Sequence, residues 1–486
     1  MAMPKPPEAQ PSSIQPARAL FATDALLPGG WARDVLLQWD AAGVLTTVLP
    51  GSHRPHGVTQ ASGPVLPGLP NLHSHAFQRA MGGLTEYRAT AQDSFWSWRE
   101  LMYRLAGALT PEQLEAVATG LYVEMLEAGY THVCEFHYVH HDRDGQAYAD
   151  DATLSLCLLR AAQTAGIGLT LLPVLYQTSG FGGTPPSQGQ RRFIRSTDNM
   201  LTLLDRLRPL CAAQGARLGL APHSLRAVPP DALRAALEGL RAQDPTAPIH
   251  IHIAEQTGEV EACLAWSGQR PVQWLLNHAP VDAHWCLVHA THMDADEYRR
   301  AAATGAVAGL CPTTEANLGD GIFDLPQWLA AGGRWGVGSD SHATVNAAEE
   351  LLMLEYSQRL ATRQRNVLAT AAQPHVATAM TLAAVAGGAQ ASGHLNDGAL
   401  TSTAGLTVGQ RADLVELDAA HPLLQGLNTP EDMLSAHVFA SHRQSAIARV
   451  WAGGQLRVQD GQHAQSASAR AAFIAARRQL LENTRP

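Results

Sequence analysis

The chain has 486 residues, 46% of them apolar and 16% charged, with 34 basic against 43 acidic side chains and a formal charge of −9. That length suits two or three domains, or one large barrel with an appendage, and the composition fills a sizeable core and excludes wholesale disorder. With no Arg-rich stripe, nucleic acid and anionic membranes are excluded as main partners, and an anionic substrate must be held by a few well-placed cations.

Residues 1–16 are rich in Pro, Ser and Gln and are expected to form a disordered tail. The start MAMPKPPEAQPSS has no apolar h-region, so no signal peptide is expected. No run of about 18 apolar residues predicts a membrane span. The only lysine, Lys5, lies in this tail. Its solitude excludes Schiff-base and pyridoxal-phosphate chemistry, a phosphate-binding P-loop, and a carboxylated lysine bridging two metals. Residues 17–64 then carry short extended pieces (ALFATDALL, DVLLQWD and VLTTVL) separated by turn signals such as Pro-Gly-Gly. They read as strands of a small sheet.

From 65 to 395 short apolar runs alternate with helical stretches. Eight strands are predicted, at 65–73, 131–137, 169–176, 217–223, 248–255, 284–290, 306–312 and 334–340, with crossover helices such as 152–165, 230–242 and 258–277. Eight such units argue an α/β fold of the (β/α)8 TIM-like barrel type; an open doubly wound sheet is the alternative, weakened by the lack of an early G-x-G-x-x-G. The first crossover is too long, and residues 78–129, with the aromatic stretch FWSWRELMY (95–103), are read as a helical insertion over the barrel mouth. Residues 396–486 return to strands, GQRADLVELD (409–418) and IARVWAGGQLRVQDG (447–461), the latter with a Gly453–Gly454 hairpin turn, and then a helix over 465–482. Together with 17–64 they are expected to form a small β-sandwich domain built from both chain ends. The six cysteines show no C-x-x-C pair, which reads as reduced thiols and a cytoplasmic protein.

In parallel barrels the chemistry sits where the strands end. The first strand ends in His73-Ser74-His75, the fifth carries His252 and then Glu255, the sixth ends in His289 and the eighth in Asp340. The second adds Glu135 and His137, and the fourth His223. Residues i and i+2 of an extended segment point the same way, so His73 and His75 can share one ion. His252 and Asp340 would complete a nitrogen and oxygen set with one position open, suited to Zn²⁺, with Fe²⁺ or Mn²⁺ as substitutes. His250 shares a strand face with His252 but lies deeper. His292 and His342 sit just past strand ends and are read as supporting or solvent residues. Cys134 and Cys311, also near strand ends, have no matching triad and are read as packing residues.

The segments PGLPNLHSHAFQRAM, HIHIAEQTGEV, LVHATHM and GVGSDSH resemble the amidohydrolase superfamily. More narrowly, LHSHAFQRAM, FWSWRELMY, EFHYVHHD, APHSLRAV and CPTTEANLGDG resemble its formimidoylglutamate deiminase family, over about 17 to 460. The resemblance implies one zinc per subunit on His73, His75, His252 and Asp340, with Glu255, His289 and Asp340 catalytic. It implies substrate contacts from Gln78, Arg99, Tyr138, His223 and Arg226, a small anionic amino-acid-derived substrate, and a homodimer. The expected reaction is hydrolysis of a formimino group with release of ammonia, in histidine degradation. Two alternatives stay open: a deaminase of an aminated purine, pyrimidine or triazine ring using the same metal set, and a non-catalytic barrel module.

Overall fold

Eight parallel strands form at the expected places: Leu69–Ser74, Tyr130–His137, Gly168–Leu175, Arg217–Leu218 continued by Ala221–Pro222, Ile249–Ile253, Trp285–His289, Val307–Leu310 and Arg334–Val337. The computed structural model describes residues 18–86, 95–394, 404–441 and 445–484, so the tail expected over 1–16 lies outside it. Most strand residues are buried on both faces, because helices cover the outside, and the strands therefore read as near-continuous apolar runs. The first four strands make one ladder and the last four another. Parallel bridges Leu220 to Ile249 and Ser74 to Asp340 join the ladders and close the barrel. The second bridge needs a close approach: a Cβ on Gly338 would sit 2.7 Å from the His73 Cβ. Closure itself therefore sets Asp340 against His73.

The run 65–73, expected to be one barrel strand, is two. Val65–Pro67 pairs with Ala19–Leu27 and with Leu414–Leu417 in the outer sheet, and only Leu69–Ser74 enters the barrel. Pro67 and Pro70 remove ladder donors on either side of the break. Gly68 passes so near Thr131 that a Cβ would lie 2.3 Å from its side chain.

The outer sheet has nine strands drawn from both chain ends. It is one sheet folded over its own core of Leu20, Leu37, Trp39, Leu414 and Trp451, the small β domain expected from both chain ends. Its end strand Leu45–Leu49 returns to the C-terminal half, the Leu45 N–H donating to the Gln410 carbonyl at 2.8 Å. Gly453 and Gly454 take φ of +57° and +70° and make the expected two-residue hairpin turn.

The stretch 78–129 resolves into parts. A 3-10 turn (Ala76–Met81) is followed by a helix, Phe95–Ala108, that lies over the mouth of the barrel. The next helix, Pro111–Glu127, is the ordinary crossover, started by a capping box between Thr110 and Gln113. The C-terminal helix Ser466–Glu482 packs on this crossover helix, Phe473 closing on Gly120. Pro430–Ala440 likewise packs on Ala347–Thr362 and Val376–Ala391, so two helices of the C-terminal stretch brace the barrel.

Candidate active site

The strand ends are bent to bring their side chains inward. Ala254, His289, Ala290, Asp340 and His342 all have φ between +45° and +65°, a left-handed conformation that costs a non-glycine residue of order 1–3 kcal/mol. All five lie at the end of, or just past, the fifth, sixth or eighth strand. The other left-handed non-glycine residues, Asp34, Arg363, Asn366 and Asp460, lie outside the barrel strands and their ends.

Four ligand-type side chains converge there. One donor atom each from His73, His75, His252 and Asp340 lies within 4.8 Å of the others, and all four residues are buried. The Nε2 atoms of His73 and His75 are each 3.3 Å from Asp340 Oδ1, and those of His73 and His252 are 2.9 Å apart. His75 turns its Nδ1 to the Phe136 carbonyl at 2.9 Å, and His252 its Nδ1 to the His223 carbonyl at 3.0 Å. Each carbonyl fixes Nδ1 as the protonated nitrogen and leaves a lone pair on Nε2. The His252 Nε2 lone pair lies 2.9 Å from Nε2 of His73, a ring whose buried Nδ1 has no protein partner, and a cation shared by the two Nε2 atoms would satisfy both. Burial pushes the His73 imidazole down to about 3 and holds His252 well below its ordinary value, so both rings stay neutral. Burial alone would raise the Asp340 carboxyl, but the neighbouring imidazoles of His73, His75 and His289 hold it well below the carboxylate range. Neutral imidazoles and an ionised carboxylate, without thiolate, fit a divalent transition metal.

Above this cluster opens a pocket of about 560 Å³. Its walls include all the further catalytic and substrate-contact residues that the resemblance implies: Gln78, Arg99, Tyr138, His223, Arg226, Glu255 and His289. Gln78 donates from Nε2 to the Tyr138 hydroxyl at 2.6 Å, while its Oε1 is buried with no protein partner. Arg226 is buried and sits 3.9 Å from Glu259, the nearest carboxylate. Arg99 stacks on Tyr103, its Cζ 5.2 Å from the ring centre. Burial pushes the Glu255 carboxyl up to about 7, against the opposing pull of His289 and Arg226. His289 reaches toward Glu255 at 3.8 Å and Asp340 at 3.9 Å through Nε2.

Glu135 and His137 do not join the site. Phe136 lies between them in sequence and turns to the rings of His73, His75 and His252, so strand alternation sends its neighbours the other way. Glu135 instead braces the first strand end, accepting from the Ser74 hydroxyl and the Ala76 N–H, both at 2.6 Å. His250 lies deeper, bonded to the Ala391 carbonyl at 2.8 Å. His342 supports the cluster from behind through Ser74 and Ser339, and His292 is tied to the Asp320 carbonyl. Cys134 and Cys311 are buried and their thiols are pushed up by burial, as packing residues should be.

Sequence reasoning missed Glu315 and an aromatic wall. Glu315 accepts from His289 Nδ1 at 3.2 Å and from the Cys311 N–H at 2.8 Å, which orients the imidazole. The strand-end rule would have found it, since it opens the helix (Pro312–Leu318) after the seventh strand. Tyr103, Tyr176 and Phe193 line the pocket beside the two arginines. A search for metal-ligand types passes over phenols.

Comparison with known proteins is consistent with this geometry. Residues 65–457 match the family model described as "Amidohydrolase family", and residues 17–57 match "Formimidoylglutamate deiminase HutF, N-terminal domain". The chain is 52% identical over 464 residues to formimidoylglutamate deiminase of Pseudomonas aeruginosa, covering 96% of this chain and 100% of the relative. It is 28% identical over 407 residues to 8-oxoguanine deaminase of the same organism, covering 82% of each. The crystal structure of an amidohydrolase from Brucella melitensis superposes with a TM-score of 0.89 at 47% identity, over 96% of this chain and 100% of that one.

Proposed function

The chain belongs to the amidohydrolase family, and within it we propose a formimidoylglutamate deiminase, which hydrolyses N-formimino-L-glutamate to N-formyl-L-glutamate and ammonia in histidine degradation. The observation that carries this reading is one pocket whose floor is a metal-ligand cluster and whose wall holds two guanidinium groups, Arg99 and Arg226. The proposed substrate has the matching parts: an amidine carbon to hydrolyse and two carboxylates to bind.

His73, His75, His252 and Asp340 would hold the metal, for which zinc is proposed. When bound it supplies Lewis acidity that makes water nucleophilic near neutral pH. Asp340 takes a proton from the attacking water. His289, held by Glu315, directs that water at the formimino carbon. Glu255, with its carboxyl near 7, is protonated or ionised as needed and passes a proton to the departing nitrogen, which leaves as ammonia. Gln78 presents a buried acceptor to the formimino N–H, and its amide also holds the Tyr138 hydroxyl. Tyr138 and His223 offer polar contacts to one carboxylate, while Arg99 and Arg226 bind the other as planar donor forks. A homodimer in the cytoplasm completes the reading, supported by the commonness of two-fold assemblies and by six buried, unpaired cysteines.

A substrate panel tests it. Incubation with N-formimino-L-glutamate should release one ammonia per N-formyl-L-glutamate, and guanine and adenosine should release none. Ammonia from the purines alone would replace this assignment with a ring deaminase.

A further inference from the structure

We propose that Gln190 is a positioning residue for substrate binding, donating to the phenol oxygens of both Tyr103 and Tyr176 so that a phenolic O–H is left to donate to the carboxylate bound by Arg99 and Arg226. The inference rests on the formimidoylglutamate deiminase reading and deepens it.

Gln190 is fully buried. It closes a short 3-10 turn (Gln188–Gln190), and its Oε1 accepts the Ser187 N–H at 2.7 Å. A backbone donor on that oxygen fixes which end of the amide is which, so Nε2 must face the other way. Nε2 donates to the Tyr176 hydroxyl at 2.6 Å and to the Tyr103 hydroxyl at 3.1 Å. An amide nitrogen carries two hydrogens and no lone pair, so both phenol oxygens act as acceptors here. Neither O–H is used by the amide; the two phenols share one between themselves, which leaves the other for a third party. Burial holds the Tyr176 phenol above its ordinary value, so it remains a donor at any working pH.

The two phenols come from different parts of the fold. Tyr176 follows the third barrel strand, and Tyr103 belongs to the mouth helix. Tyr103 lies so close to the turn that a Cβ on Gly189 would be 3.0 Å from its ring. Gln190 therefore ties the mouth helix to the barrel at the point where the guanidinium groups gather. Arg99 is one helical turn from Tyr103 and stacks on its ring, and both Arg99 and Arg226 act electrostatically on Tyr176. All four side chains face the same pocket. Two arginines with an aligned phenolic O–H donor form a carboxylate site with more directional donors than the arginines alone provide.

The test compares Gln190→Leu and Gln190→Glu with the wild-type enzyme on N-formimino-L-glutamate. A glutamate of the same size has an accepting oxygen where Gln190 has its donating amide nitrogen. Both phenols would then donate inward to it and lose the proton offered to substrate. Either variant should raise KM roughly tenfold to a hundredfold, the usual weight of hydrogen bonds to a charged group, with kcat within about threefold and full metal content. Tyr103→Phe and Tyr176→Phe should each raise KM. Combined with Gln190→Leu, each should add less than its own effect, because the amide acts through the phenols. The phenylalanine variants serve if a Gln190 variant fails to fold. A wild-type KM in Gln190→Glu, or a fall in kcat or metal content with KM unchanged, would overturn the proposal. Failure of the wild-type enzyme to hydrolyse the substrate would instead overturn the parent assignment.

Discussion

The two ends of the barrel are both rich in buried imidazole, and only one of them forms a site. At the strand C-termini His73, His75, His252 and His289 gather around the carboxylates of Asp340, Glu255 and Glu315. Deeper in the barrel His250 is tied to the Ala391 carbonyl and His132 to the Thr170 hydroxyl at 2.8 Å, and His394 packs edge-on to His132. Those deeper rings find one neutral partner or a ring neighbour, and nothing draws them to a common point. Burial holds all three below the ordinary histidine value, so they stay neutral. Convergence with carboxylates, achieved by left-handed turns at the strand ends, is what separates chemistry from packing.

The strongest way to break that contrast is to remove a converging ligand. Asp340→Ala or His252→Ala should lose bound metal and lower kcat/KM by roughly a thousandfold or more. Elemental analysis alongside the ammonia assay reads both. Glu255→Gln should keep the metal yet lower kcat roughly a hundredfold to a thousandfold, because only the proton carrier is lost. Arg99→Ala should raise KM roughly tenfold to a hundredfold with metal in place. Arg226→Ala should do the same and also lower stability, because the buried Glu259 then loses the guanidinium 3.9 Å away. Wild-type kinetics in both arginine variants would remove the proposed carboxylate site. On the deeper side, His250→Asn should keep stoichiometric metal and a kcat within a few-fold, and cost only about 1–3 kcal/mol of stability.

The smallest effect is a pH slope. Burial pushes the Glu350 carboxyl up to about 8, although Thr313 donates to it through both N–H and hydroxyl. A carboxyl raised on folding binds its proton more tightly in the native state. Its stabilisation is complete below the unfolded value near 4.3 and is lost as pH rises through about 8. The Tm of the wild-type chain should therefore fall more between about pH 5 and pH 8 than that of Glu350→Gln. Equal slopes would show that Glu350 ionises in the fold as it does in water.

Much of this was legible before any coordinates. Strand alternation and the strand-end rule place His73, His75, His252 and Asp340 on one rim, because a parallel barrel leaves side chains only that place to meet. Two things were not legible. The break at Gly68 depends on which sheet each half of an apolar run joins, and period alone does not encode that choice. The Tyr103–Gln190–Tyr176 link joins a mouth helix to a loop 87 residues away in sequence, through groups that carry no charge and no motif. Glu315 falls between these cases, since its position after the seventh strand was readable and its residue type fitted the rule.

The most direct test of the central claim is ammonia release from N-formimino-L-glutamate by the purified chain, measured as isolated, after chelation, and after return of Zn²⁺. Activity that vanishes with the chelator and returns with about one equivalent of zinc per chain is the expected result. Activity that persists in chain shown to be metal-free would contradict the claim that four side chains from separate strands gather to hold a catalytic cation.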